Sequence, residues 1–178
     1  DHSAVIVALP YPSEARLREV LAKTLDEEAL RQGYSRRVAL MLENLAGHYR
    51  DDAVRLAMSH VFVMGGLESD SERPIQVGGA YALEPGALPA TAQYVALGHL
   101  HRPQAVGSAP TQARYSGSPL AYSFSEAGQT KSVVVVEAEP STGARVKEIH
   151  LSCGRPLVRW VATGGLAQVR QWCDEGRD

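Results

Sequence analysis

Long apolar runs are missing from this chain, and with them any stretch near the length of about 20 residues that a membrane-spanning helix needs. The opening, Asp1-His2-Ser3-Ala4-Val5-Ile6-Val7-Ala8-Leu9-Pro10, has no basic region and too short an apolar run for a signal peptide. Basic excess is missing too. A net charge of −2 argues against a generally basic nucleic-acid binder, but not against an enzyme that holds phosphates through metal ions. Cysteine is scarce: Cys153 and Cys173 show no metal-type spacing and offer no disulfide framework, so a reducing cytoplasm is the default. The chain has no P-loop and no dinucleotide fingerprint. Ser116 and Ser118 flank Gly117, yet no G-x-S-x-G elbow surrounds them. There is no internal repeat, no low-complexity tract and no initiator Met, which leads us to expect an excerpt of a longer protein.

What is present is an ordinary globular composition, 178 residues with 44% apolar and 21% charged. Ala4 to Leu9 is predicted as a buried strand that stops at Pro10-Tyr11-Pro12. Ser13 is a good N-cap for a helix carrying Leu17, Val20, Leu21 and Leu25, ending near Gly33. A second helix is expected from Ser35, with Val38, Met41, Leu42, Leu45 and Tyr49 on one stripe. Its Arg36 and Arg37 are assigned to a solvated face. The next predicted strand runs from about Ala53 to Val63, with Val54, Leu56, Met58 and His60 sharing a face. Tyr94 to His101 is another, and short strands follow near Gln104 and Arg114. Ser132 to Ala138 and Ala144 to Leu151 form a hairpin around Ser141-Thr142-Gly143. A further strand over Leu157 to Ala162 and a last helix from Leu166 complete the prediction. Strands interspersed with helices, then strands in series, indicate an α/β (α+β) fold: a mixed sheet or two packed sheets with helices outside.

Three histidines carry the chemistry. Val95, Leu97, His99 and His101 share one parity, so an extended chain sends both imidazoles to one face. His60 ends an apolar ladder in the same way, and glycine lies close to both sites. Neutral imidazole suits Mn, Fe and Zn, so His60, His99 and His101 are candidate metal ligands. A hydrogen-bonded histidine pair at a strand end is the alternative for His-x-His. Gly98 lets another backbone or a substrate approach. The other histidines are weaker: His2 lies at the chain start, His48 off its helix stripe, His150 in a late strand. Most carboxylates lie on helices or loops where solvation accounts for them, and Asp70 is assigned to a turn. Arg102 and Arg114 flank the motif strand and are candidates for phosphate contact or for structural ion pairs.

Ser59-His60-Val61-Phe62-Val63-Met64-Gly65-Gly66 with Ser69-Asp70 resembles the fourth motif of the SbcD family, nuclease subunits within the calcineurin-like metallophosphoesterases. Ala96-Leu97-Gly98-His99-Leu100-His101 resembles the fifth, Gly-His-x-His. Tyr115-Ser116-Gly117-Ser118-Pro119 with Ser123-Phe124-Ser125-Glu126 resembles the segment after it, and Ala8-Leu9-Pro10-Tyr11 the strand and loop after the third. The resemblance implies a four-layer metallophosphoesterase-type β-sandwich flanked by helices, incomplete here at its N-terminal side. It implies two divalent metal ions, manganese first, with His60, His99 and His101 among their ligands. The Asp-x-His, Gly-Asp and Gly-Asn-His-Asp motifs, which supply the remaining ligands and the catalytic histidine, are absent, so no catalytic residue is expected in this chain. Residues 1–155 are then the C-terminal portion of a nuclease domain and 156–178 the start of a DNA-binding cap. The implied parent hydrolyses DNA phosphodiesters in the cytoplasm, as a homodimer with an SbcC-type ATPase and no membrane association. The chain alone is expected to be inactive. Action on small phosphodiesters, and a non-catalytic scaffold, are the alternatives.

Overall fold

The computed structural model of the chain describes residues 3–12, 27–72 and 81–177. Its centre is a five-stranded sheet. β1 (Ser3–Leu9), β2 (Ala53–His60), β3 (Tyr94–Gly98), β4 (Gln104–Ala105) and β5 (Ala113–Tyr115) lie in the order β1-β2-β3-β5-β4. The β1–β2, β2–β3 and β3–β5 pairs are parallel; β4 pairs antiparallel with β5. α1 (Glu27–Ala46) connects β1 to β2, as a parallel crossover requires. β6 (Ser132–Glu137) and β7 (Arg145–His150) form a separate antiparallel hairpin, and α2 (Gly165–Asp174) comes last. The expected mixed α/β character is borne out, with parallel pairs dominating the main sheet.

One face of the sheet is the core. Val7, Ala57, Val95 and Leu97 pack with Tyr34, Val38 and Leu42 of α1. The stripe expected on this helix is present, with Met41, Leu45 and Tyr49 packed against the same cluster. The predicted break at Gly33-Tyr34-Ser35 is not: α1 runs straight through it. A glycine inside a helix costs roughly 1 kcal/mol, and burial of Tyr34, Val38 and Leu42 in the core outweighs that. The helix expected from Ser13 falls mostly outside the described residues.

The other sheet face is covered at Val54 and Tyr94 but open around Ile6, Met58 and Ala96. Register places Ile6, Leu56 and Tyr94 in one row, Ala8, Met58 and Ala96 in the next, and His60 beside Gly98. Ile6 is 57% exposed and Met58 50%. The apolar ladder Val54, Leu56, Met58, His60 thus shares one face as expected, buried at Val54 but exposed at Met58 and His60, while Ala57 and Ser59 on the opposite face are buried. β2 also ends earlier than predicted. Beyond His60 the chain leaves the sheet, and Val63 makes a single bridge to Leu83. Leu157 to Ala162 does not form a strand: most of it is exposed, and it pairs with none of the described strands.

Candidate metal centre

Parallel strands in register end side by side, and α/β proteins bind ligands beyond such carboxyl ends. His60 closes β2, and its Cα partner across the ladder is Gly98, the last residue of β3. The missing side chain at Gly98 makes the site. A Cβ there would sit 2.8 Å from Nδ1 of His60, so the imidazole occupies the space glycine leaves. The close approach expected at Gly98 is thus taken by the neighbouring histidine.

His99 does not continue β3. Its φ is 111°, a region that non-glycine residues enter at a cost of about 1–3 kcal/mol, usually at functional sites. This turn overrules the expectation that His99 and His101 share the face of one extended strand. It brings the His99 ring 5.6 Å from that of His60 and 6.3 Å from Phe62, in edge-on contacts. Tyr11 approaches His60 from the far side, 6.2 Å between centroids. The Nε2 of His99 is buried and has no hydrogen-bond partner among the described residues. Burial, then the neighbouring imidazoles, pushes the pKa of His99 down, against an opposing pull from Glu72. Burial and His101 push that of His60 down. Both rings are thereby held neutral, the form a metal ligand requires.

His101 sits in different surroundings. Its Nδ1 lies 2.8 Å from Ser71 Oγ and 3.1 Å from Glu126 Oε1. Its backbone N–H donates to Glu72 Oε1 at 2.7 Å. Its carbonyl accepts from Lys131 Nζ at 3.0 Å and from the Ser118 N–H at 3.1 Å. Glu126 is 1% exposed, Glu72 6% and Lys131 7%. Lys131 Nζ donates to Glu126 Oε2 at 2.5 Å, to Ser118 Oγ at 3.0 Å and to Gln129 Oε1 at 3.2 Å. Burial alone would raise the pKa of Glu126. Hydrogen bonds from Lys131, Ser71 and His101 outweigh it and hold the carboxyl at about 2. For Glu72, burial is likewise outweighed by hydrogen bonds from Ser69 and the His101 backbone.

The structure thus brings His60 and His99 together and holds His101 apart in its own polar cluster. Among the described residues no group of three or more His, Cys, Asp or Glu is arranged to hold a metal ion. The donors fit half of such a site: two adjacent neutral imidazoles, one with a buried nitrogen that has no partner among the described residues, with Glu72 near enough to act on His99 electrostatically but engaged by Ser69 and the His101 backbone. Of the two arginines, Arg102 is exposed, while Arg114 donates to Glu148 at 2.6 Å. Asp70 is exposed in a turn, as expected, and His48 and His150 face solvent. His2 lies outside the described residues. No described helix is long and apolar enough to cross a membrane.

The chain is 57% identical, over 171 residues, to the SbcD subunit of nuclease SbcCD from Bacillus subtilis (strain 168). The resemblance to the SbcD family holds. It covers 96% of this chain but 44% of that protein, so the chain spans less than half the length of its SbcD relative. No family model matches.

The SbcD-like motifs point to the histidines, include Glu126 without a role for it, and leave out Glu72 and Lys131. Sequence pattern groups Glu72 and Glu126 with the solvated loop carboxylates, and both are buried. The one local signal is Ser123-Phe124-Ser125-Glu126 followed by Lys131: an acid in a serine-capped turn with a base five residues on. The Ser123 side chain indeed accepts from Ser125 N–H to start a three-residue 3-10 turn, Phe124–Glu126, which delivers the carboxylate inward.

Proposed function

We propose that this chain is the histidine-bearing portion of an SbcD-type nuclease that hydrolyses DNA phosphodiester bonds with divalent metal ions, two in number and manganese first. The observation that carries this reading is the pairing of His60 and His99 at adjacent parallel strand ends, with the buried Nε2 of His99 lacking any partner among the described residues. His60, His99 and His101 would hold the ions, and the carboxylates that complete the shell would come from the part of the parent that this chain does not span. Bound ions would supply charge stabilisation at the phosphodiester. The chain's own residues keep two imidazoles neutral and a third fixed. Arg102, exposed beside His101, is the better placed cation for a DNA phosphate; Arg114 is engaged by Glu148.

Residues 1–155 would be the C-terminal portion of the nuclease domain and 156–178 the start of a DNA-binding cap. In support of the latter, Trp160 and Trp172 meet edge-on at 5.6 Å with the Arg177 guanidinium over both rings, a small cluster of this segment's own residues. An SbcC-type ATPase, a homodimeric state and a cytoplasmic location complete the proposal.

The full-length protein should cleave duplex and hairpin DNA with Mn²⁺, and His99→Asn should abolish cleavage. Hydrolysis of bis(4-nitrophenyl) phosphate with DNA left intact would instead assign the site to small phosphodiesters. Neither activity, with Mn²⁺ binding unaffected by the three histidines, would make the chain a scaffold.

A further inference from the structure

His101 is held at more points than either of the other two histidines, and the donors and acceptors around its ring can be counted. Glu126 Oε2 takes a proton from Lys131 Nζ, and Oε1 takes the hydroxyl proton of Ser71. A carboxylate paired with an ammonium only accepts. Ser71 has a single hydroxyl proton, already directed to Glu126, so towards the imidazole its oxygen also accepts. Ser69, 3.1 Å from Ser71, gives its own proton to Glu72 Oε2 at 2.6 Å. Both groups beside Nδ1 are therefore acceptors, and Nδ1 must carry the hydrogen. In a neutral imidazole that leaves the lone pair on Nε2.

We propose that Glu126 and Ser71 are positioning residues that lock His101 in the Nδ1–H tautomer and leave its Nε2 lone pair available to a divalent cation. This rests on the reading of His101 as a metal ligand. Lys131 has two functions here. It keeps Glu126 an acceptor, and it grips the His101 carbonyl while Glu72 grips the N–H, so ring and backbone are fixed by buried charges from different segments. Metal-bound histidines generally depend on such an outer acceptor, and losing it weakens metal affinity by about 10–100-fold.

Labelling the full-length protein with ¹⁵N-histidine and recording long-range ¹H–¹⁵N correlations without metal reads the tautomer directly, with His101 assigned by its loss in His101→Gln. A single Nδ1–H form is expected. An Nε2–H form, or averaged nitrogen shifts, would overturn the proposal. Glu126→Gln should mix the tautomers and weaken Mn²⁺ binding by about 10–100-fold. Should that variant not fold, Ser71→Ala, which keeps the Glu126–Lys131 pair, should give the same changes in smaller measure. No change in either readout would overturn it. Titration with Mn²⁺ alone separates this inference from the one beneath it. Line broadening at His60, His99 and His101 supports the metal reading; a locked His101 with no broadening at any of them removes that reading and leaves the locked ring standing.

Discussion

His60 and His99 owe their positions to backbone, whereas His101 owes its position to charge. The first pair depends on two parallel strands ending in register, on a glycine that yields its side-chain volume to His60, and on a φ of 111° that swings His99 beside it. Few polar contacts brace these rings, and the Nε2 of His99 has none among the described residues. Around His101, two buried carboxylates and a buried ammonium converge on one residue. Buried ion pairs bring little net stability but fix geometry, and they are costly to break from one side. Histidines of one chain can thus be positioned by two kinds of physics, each with its own failure.

The largest effect is expected on the charge side. Lys131→Met leaves Glu126 buried without its ammonium and should cost about 3–5 kcal/mol in a urea titration. A cost below about 1 kcal/mol would mean that the charges do not hold His101. A smaller effect is expected where the chain leaves the sheet after His60. There the Tyr115 hydroxyl accepts from the Val63 N–H at 2.8 Å and donates to the Val61 carbonyl at 2.9 Å. Tyr115→Phe strands both buried backbone groups and should cost about 1–3 kcal/mol by the same titration. Smallest in stability, and sharpest for the backbone side, is Gly98→Ala. The added methyl falls 2.8 Å from an atom of an exposed ring that can rotate away, so stability should change by no more than about 0.5 kcal/mol. The ¹H shifts of His60 should nevertheless move, and Mn²⁺ affinity should drop. Unchanged His60 resonances would show that Gly98 does not set the ring.

The same division explains what is legible in the sequence. β1, β2, β3 and the β6–β7 hairpin follow local pattern, and so do the strand ends that place His60 beside Gly98. The turn at His99 is not legible, because alternating residues imply an extended chain and nothing local announces a positive φ at a histidine. Nor is the exposure of Ile6 and Met58, since a period of two says which residues share a face but not which face is covered. The helix break expected at Gly33 fails because tertiary burial outweighs local propensity. Least legible is the Glu126–Lys131–Ser71–Glu72 cluster. Its members are scattered from 71 to 131 and converge only after folding, and an acid in a polar loop carries no mark of burial.

On the proposed reading, this chain supplies histidines to a metal centre that it does not complete. The most direct test is Mn²⁺-dependent DNA hydrolysis by the 178-residue chain beside that of the full-length protein, each with and without His99→Asn. No hydrolysis is expected from the shorter chain, whereas the full-length protein should hydrolyse DNA until His99→Asn abolishes the activity. Robust hydrolysis by the shorter chain alone, lost on His99→Asn, would contradict that reading.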